Sequence, residues 1–99
     1  MGKINGGRLV AKVLKQEGVE CIFALPGGQI NSIFQGCLDE KIRIIDTSHE
    51  QAAIFMAEGW ARVTGKPGVA AVSAGPGVTN AITGICNALG TGSPIIIFG

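Results

Sequence analysis

Ninety-nine residues make one small domain or a piece of a larger one, and a composition that is 46% apolar and 15% charged excludes intrinsic disorder. A formal charge of +1 supplies neither a basic stripe for nucleic acid nor an acidic tail, and the absence of Tyr removes stacking platforms for single strands. Cys21, Cys37 and Cys86 have no metal-ligand spacing, with Cys21 and Cys86 in apolar runs, so an odd set of reduced thiols in a cytoplasmic protein is expected, with no metal site of its own. Met1 to Gly7 has no apolar signal core, and no run approaches the length needed to span a bilayer, so neither membrane nor nucleic acid is an expected partner.

Leu9, Val10, Val13 and Leu14 recur at helical spacing, with Asn5 placed to cap this helix and Gly18 to end it. Glu20 to Leu25 is a short apolar run closed by Pro26-Gly27-Gly28, which reads as a buried strand and a turn. Ile30, Ile33, Phe34, Cys37 and Leu38 mark a second helix, and Lys41 to Asp46 a second strand. The third helix is expected to start at Ser48, with Gln51 completing a capping box, and to stop near Thr64 before Gly65-Lys66-Pro67. Val69 to Val72 is a third strand. Pro76 suits the first turn of one fourth helix that runs through Ile82, Ile85 and Leu89, and Pro94 to Phe98 is a fourth strand.

Strands alternate with helices, and the strands are nearly continuous apolar runs. Both features predict an α/β fold: a three-layer, flavodoxin-like parallel sheet with helices on both faces. Stopping on Ile95-Ile96-Ile97-Phe98 leaves the sheet without its next covering helix, so residues 1–99 are expected to be a domain incomplete at its C-terminus.

The carboxyl edge of such a sheet is where ligands bind. Glu50 falls there, in Ser48-His49-Glu50-Gln51-Ala52-Ala53, where a strand gives way to a helix. An acid in a first turn complements the helix dipole and by itself signals no more than that. Its neighbours, however, are apolar and the facing turns nearly uncharged, so a partly desolvated carboxylate suited to trading a proton is expected. Gly75-Pro76-Gly77 is half of a dinucleotide fingerprint that fails at Asn80; it is a weak phosphate cradle but a reasonable tight turn for close approach of a flat ligand. Pro26-Gly27-Gly28 permits the same approach from the first strand. Ala52, Ala53, Ala57, Gly59 and Ala61 give the third helix a run of small side chains, read as tight packing on the sheet or as a subunit interface.

Val19 to Phe23 with Leu25-Pro26-Gly27-Gly28, then His49-Glu50-Gln51-Ala52-Ala53, Ala57-Glu58-Gly59-Trp60-Ala61-Arg62, Thr64-Gly65-Lys66 and Gly75-Pro76-Gly77-Val78-Thr79-Asn80 stand in the family order and spacing of a known domain. Over essentially the whole chain the sequence resembles the N-terminal pyrimidine-binding domain of thiamine-diphosphate-dependent enzymes, most closely the acetolactate synthase-like branch. The resemblance implies that Glu50 contacts N1′ of the cofactor aminopyrimidine and promotes the imino tautomer, whose 4′ nitrogen removes the thiazolium C2 proton. The activated cofactor would then attack a 2-oxo acid, which is decarboxylated and joined to an acceptor. Leu25, Pro26, Gly27 and Gly28 would line the pyrimidine from one side, Pro76 and Asn80 from the other, and Ser73 would face the reacting centre.

The same resemblance implies partners outside these residues. A diphosphate-binding C-terminal domain would hold the diphosphate and Mg²⁺, and a middle domain would carry FAD in the acetolactate synthases. The active site would form between the subunits of a homodimer or homotetramer, leaving this chain inactive alone. Ser48 stands where acetolactate synthases usually have Arg, and Gln29, Ala24 and Thr91 also depart from that branch. Other decarboxylases, carboligases and a C–C bond hydrolase therefore stay open. The reading from a different class is a non-catalytic flavodoxin-like binding or interaction module in which Glu50 is only a helix-start acid.

Overall fold

The structure, a computed structural model, describes residues 6–25, 31–73 and 75–99. The elements follow one another as α1 (Gly6–Gln16), β1 (Cys21–Ala24), α2 (Asn31–Asp39), β2 (Arg43–Asp46), α3 (Glu50–Thr64), β3 (Gly68–Ala71), α4 (Pro76–Asn80), α5 (Ile82–Thr91) and β4 (Ile95–Phe98). All strand pairs are parallel and the order is β2-β1-β3-β4, with Phe23 opposite Ile45 and Ala70, and Val69 opposite Ile96. The expected α/β architecture is therefore present. Asn5, Ile30 and the turn Pro26-Gly27-Gly28 lie outside the described residues.

Alternation along the strands sends side chains to two cores. Cys21, Phe23 and Ala70 meet Ala53, Ile54 and Ala57 of α3, with Ala81, on one face. Ile22 and Val69 meet Ala11 and Leu14 of α1 and Cys37 of α2 on the other. The small residues of α3 divide accordingly. Ala53, Ala57 and Ala61 are buried, whereas Gly59 is exposed with open space around it. On β3, a Cβ at Gly68 would collide with the Ala57 carbonyl, so the missing side chain is what lets α3 lie this close to the strand.

Two sequence expectations change. The capping residue of α3 is His49 rather than Ser48: its backbone is extended and its Nδ1 accepts from the Gln51 N–H at 3.0 Å. An unprotonated imidazole nitrogen caps as a side-chain oxygen does, by satisfying an amide that has no intrahelical acceptor. The single fourth helix is two. Ala81, at φ −89° and ψ −8°, separates α4 from α5, and its N–H turns back to Val78 and Thr79 carbonyls. Apolar spacing continues across the break, because Ala81 is itself fully buried. Cys86 is exposed while Cys21 and Cys37 are buried, and all three thiols are free. Burial pushes the Cys37 thiol up to about 11 and raises that of Cys21 as well.

Candidate functional site

The direction in which strands are added across the sheet reverses between β1 and β3. The connection after β1 leads to β2 on one side, while the one after β3 leads to β4 on the other. Outside the carboxyl ends of two such strands a crevice is expected, because the connections that leave them lead apart. Leu25 follows β1 there, half-buried, and Ser73 follows β3, also half-buried. The turn into α3 is latched to the same edge, since the Thr47 N–H donates to the Ala24 carbonyl at 2.9 Å.

Glu50 opens α3 beside this crevice and is half-buried. Its Oε1 accepts from Asn80 Nδ2 at 3.3 Å. Gly77 explains how the two turns come so close. A Cβ built on it would lie a tight 3.3 Å from Ser73 Cβ and an ordinary 3.6 Å from Glu50 Oε2, so the glycine lets this turn lie against Ser73 and leaves a methyl-sized space beside the second carboxylate oxygen. Gly75 enters α4 at φ 74° and ψ −116°, a conformation that an L side chain rarely adopts. Pro76 at the first turn of α4 is exposed, and Asn80 at its last turn is exposed but reaches the acid.

Glu50, Ser73, Gly77 and Asn80 are thus brought together from two turns that are 23 or more positions apart along the chain. Leu25 lies at the same sheet edge. Pro26, Gly27 and Gly28, the first wall of the expected slot, fall outside the described residues. Among the described residues, no group of three or more His, Cys, Asp or Glu side chains is arranged to hold a metal ion, and no helix is long and apolar enough to cross a membrane.

Residues 4–99 match the family model described as the N-terminal TPP binding domain of thiamine pyrophosphate enzymes. The chain belongs to this family. An acetolactate synthase large subunit from Mycobacterium tuberculosis is 49% identical over 96 residues, 97% of this chain and 18% of that protein. The 2-hydroxyacyl-CoA lyase 2 of Homo sapiens is 47% identical over 95 residues, 96% of this chain and 15% of the lyase. A catabolic acetolactate synthase from Raoultella terrigena is 43% identical over 95 residues, 96% of this chain and 17% of that enzyme. The chain therefore spans less than a fifth of the length of these relatives. As a TPP-binding N-terminal domain it has two groups of relatives, synthases and lyases, at nearly the same identity.

A second acid on α3, Glu58, is one that the sequence patterns do not single out. Glu58 is only 3% exposed. Asn87 Nδ2 donates to its Oε1 at 2.6 Å, and the Thr91 and Ser93 hydroxyls approach Oε2 at 2.7 and 3.2 Å. These bonds, Thr91 first and Asn87 next, hold its carboxyl below the ordinary glutamate range, with Arg62 adding a smaller attraction. The sequence carries a signal for this: Asn87 and Thr91 stand four apart on a mostly apolar helix, and therefore on one face.

A cavity of about 430 Å³ lies at the other end of the strands, lined by Val13, Leu14, Val19, Trp60, Ile96 and Phe98 among others. Its walls are mostly apolar, with Glu17, Glu20 and Lys66 the charged residues among them, and it shares no residue with the cluster around Glu50.

Proposed function

We propose that this chain supplies the pyrimidine half of a thiamine-diphosphate site, with Glu50 as the acid that shares a proton with the aminopyrimidine. The observation that carries this reading is the Glu50 carboxylate itself. One oxygen is oriented by Asn80, and the other faces space kept clear by Gly77. A group that must give and accept a proton at a ring nitrogen needs such an arrangement: fixed in direction, partly shielded, and with a lone pair left over. The residues fit a flat heterocycle, because Gly77 leaves a methyl-sized space beside Glu50 Oε2.

When bound, thiamine diphosphate supplies a carbon nucleophile and an electron sink for cleavage next to a carbonyl. Glu50 holds the proton at its free oxygen and Asn80 fixes the carboxylate plane. Ser73 lies beside Gly77 toward the crevice, and Leu25 closes the β1 side. The described residues contain no metal cluster, and Mg²⁺ with the diphosphate is assigned to a separate C-terminal domain of a longer protein. FAD, where the parent binds it, belongs to a middle domain. The small fraction of each relative that this chain covers supports reading it as the truncated N-terminal domain of such a parent.

The parent acts on small 2-oxo acids by decarboxylation and carboligation, as a cytoplasmic homodimer or homotetramer with its site between subunits. The synthase relatives support this branch. The lyase relatives favour a second reading, cleavage of a 2-hydroxyacyl thioester by the same cofactor chemistry. Assaying full-length protein with pyruvate and with a 2-hydroxyacyl-CoA separates the two, and Glu50→Gln should abolish whichever turnover is found. Retained turnover in that variant removes the proposed role of Glu50.

A further inference from the structure

The helix α3 runs beside α4 and α5 and meets them at three levels, the first on α4 and the other two on α5. Glu50 meets Asn80 just before α5, Ile54 packs on Gly84, and Glu58 meets Asn87 and Thr91. At the middle level a Cβ on Gly84 would fall 2.8 Å from Ile54 side-chain atoms, so the helices are in close apolar contact there. Apolar contact is non-directional and by itself resists sliding weakly. The level at Glu58 is different. Its two oxygens take donors from two successive turns of α5 and from Ser93 beyond its end, and hydrogen bonds of 2.6 and 2.7 Å demand direction as well as distance.

We propose that Glu58 is a positioning residue for Glu50: by bridging Asn87, Thr91 and Ser93 it sets the axial register of α3 against α5, and so the placement of Glu50 against Asn80 and Gly77. This rests on the reading of Glu50 given above. The two acids are eight residues apart on one helix without an internal proline, about 12 Å at 1.5 Å per residue. A displacement at Glu58 along the helix axis is therefore carried to Glu50. Thr91 has one hydroxyl proton and several acceptors within 3.3 Å, among them the Asn87 and Ala88 carbonyls. The charged oxygen at 2.7 Å is the nearest and takes it. Removing the Glu58 carboxylate releases that proton to the helix's own carbonyls, and α5 loses its directional hold on α3.

The test uses the full-length enzyme, with two readouts. The side-chain amide resonances of Asn80 report the Glu50 contact whether or not cofactor chemistry occurs. Exchange of the thiamine-diphosphate C2 proton with deuterium reports what Glu50 does. Glu58→Ala should shift the Asn80 resonances and slow the exchange about tenfold, short of the roughly hundredfold that a full 1 Å misplacement can cost. Glu58→Gln, which keeps the shape and one acceptor, should restore part of both. In a Glu50→Gln background Glu58→Ala should slow the exchange no further, because a residue acting through another has nothing left to act on.

Additive losses in the double variant, or unmoved Asn80 resonances in a folded Glu58→Ala protein, overturn the proposal. If Glu58→Ala does not fold, Thr91→Val removes one donor only and should move both readouts in the same direction by less. An exchange rate indifferent to Glu50→Gln defeats the cofactor reading instead, and the Asn80 resonances still decide the positioning role.

Discussion

Glu50 and Glu58 lie on one helix, two turns apart, and their surroundings are opposite. Glu58 is almost wholly buried and receives three side-chain donors, two of them at 2.6 and 2.7 Å. Glu50 is half-buried and, among the described residues, receives one side-chain donor at 3.3 Å. A carboxylate offers about four lone-pair sites. The acid with three of those sites filled is committed to structure, and the one with most of its sites open can exchange a proton. The contrast shows that burial alone does not mark a catalytic acid; what matters is which hydrogen bonds are left unmade.

The largest expected effect comes from applying one substitution to the two positions. Glu50→Gln in the full-length enzyme should lower kcat on the order of a thousandfold, within the usual range for loss of an acid–base group. Its thermal midpoint should barely move, because only the one 3.3 Å bond is altered. Glu58→Gln should do the reverse, with a clear drop in midpoint and a smaller drop in kcat. Steady-state kinetics paired with calorimetry reads both. Equal kinetic losses at the two sites would erase the distinction between them.

The fold was largely legible in the sequence because its strands are nearly continuous apolar runs that alternate with helices across Gly- and Pro-marked turns, the pattern of a covered parallel sheet. The break at Ala81 was not, since a buried alanine continues the apolar rhythm of the helices on either side. Glu50 was legible from its place at a strand-to-helix turn. The role of Glu58 was not, because its partners Asn87, Thr91 and Ser93 are 29 to 35 residues away and are brought to it only by the side-by-side packing of α3 and α5. His49 took the cap from Ser48 because its ring nitrogen lies 3.0 Å from the Gln51 amide, a distance that no pattern of residue types specifies.

Closing the open side of Glu50 should have an intermediate effect. Gly77→Ala puts a methyl group 3.3 Å from Ser73 Cβ and 3.6 Å from Glu50 Oε2, at a backbone position where alanine is otherwise favoured in a helix by up to about 1 kcal/mol. The fold should survive while affinity for thiamine diphosphate falls about tenfold, the scale of a mild steric intrusion costing about 1.4 kcal/mol. Titration calorimetry on full-length protein measures it. An unchanged Kd would mean that the space beside Oε2 is not where the cofactor goes. Asn80→Ala should cost less, about threefold in kcat, because a single 3.3 Å bond at an exposed side chain contributes only about 0.5–1 kcal/mol.

The smallest effect is the pH dependence, and it isolates Glu58. Hydrogen bonds from Thr91 and Asn87 lower its folded-state pKa below the ordinary value of 4.5. Below that value the unfolded chain takes up the proton while the folded chain resists it, so the unfolded state binds more protons and stability falls with falling pH. The stabilisation is complete above about 4.5 and is lost as pH drops through the depressed folded-state pKa. Glutamine at position 58 cannot titrate, so urea midpoints of Glu58→Gln should decline less steeply below pH 4.5 than those of the parent, with the two curves converging at the acid end. Parallel curves would show that the Glu58 carboxylate is no better satisfied in the fold than in water, and the contrast with Glu50 would then rest on exposure alone.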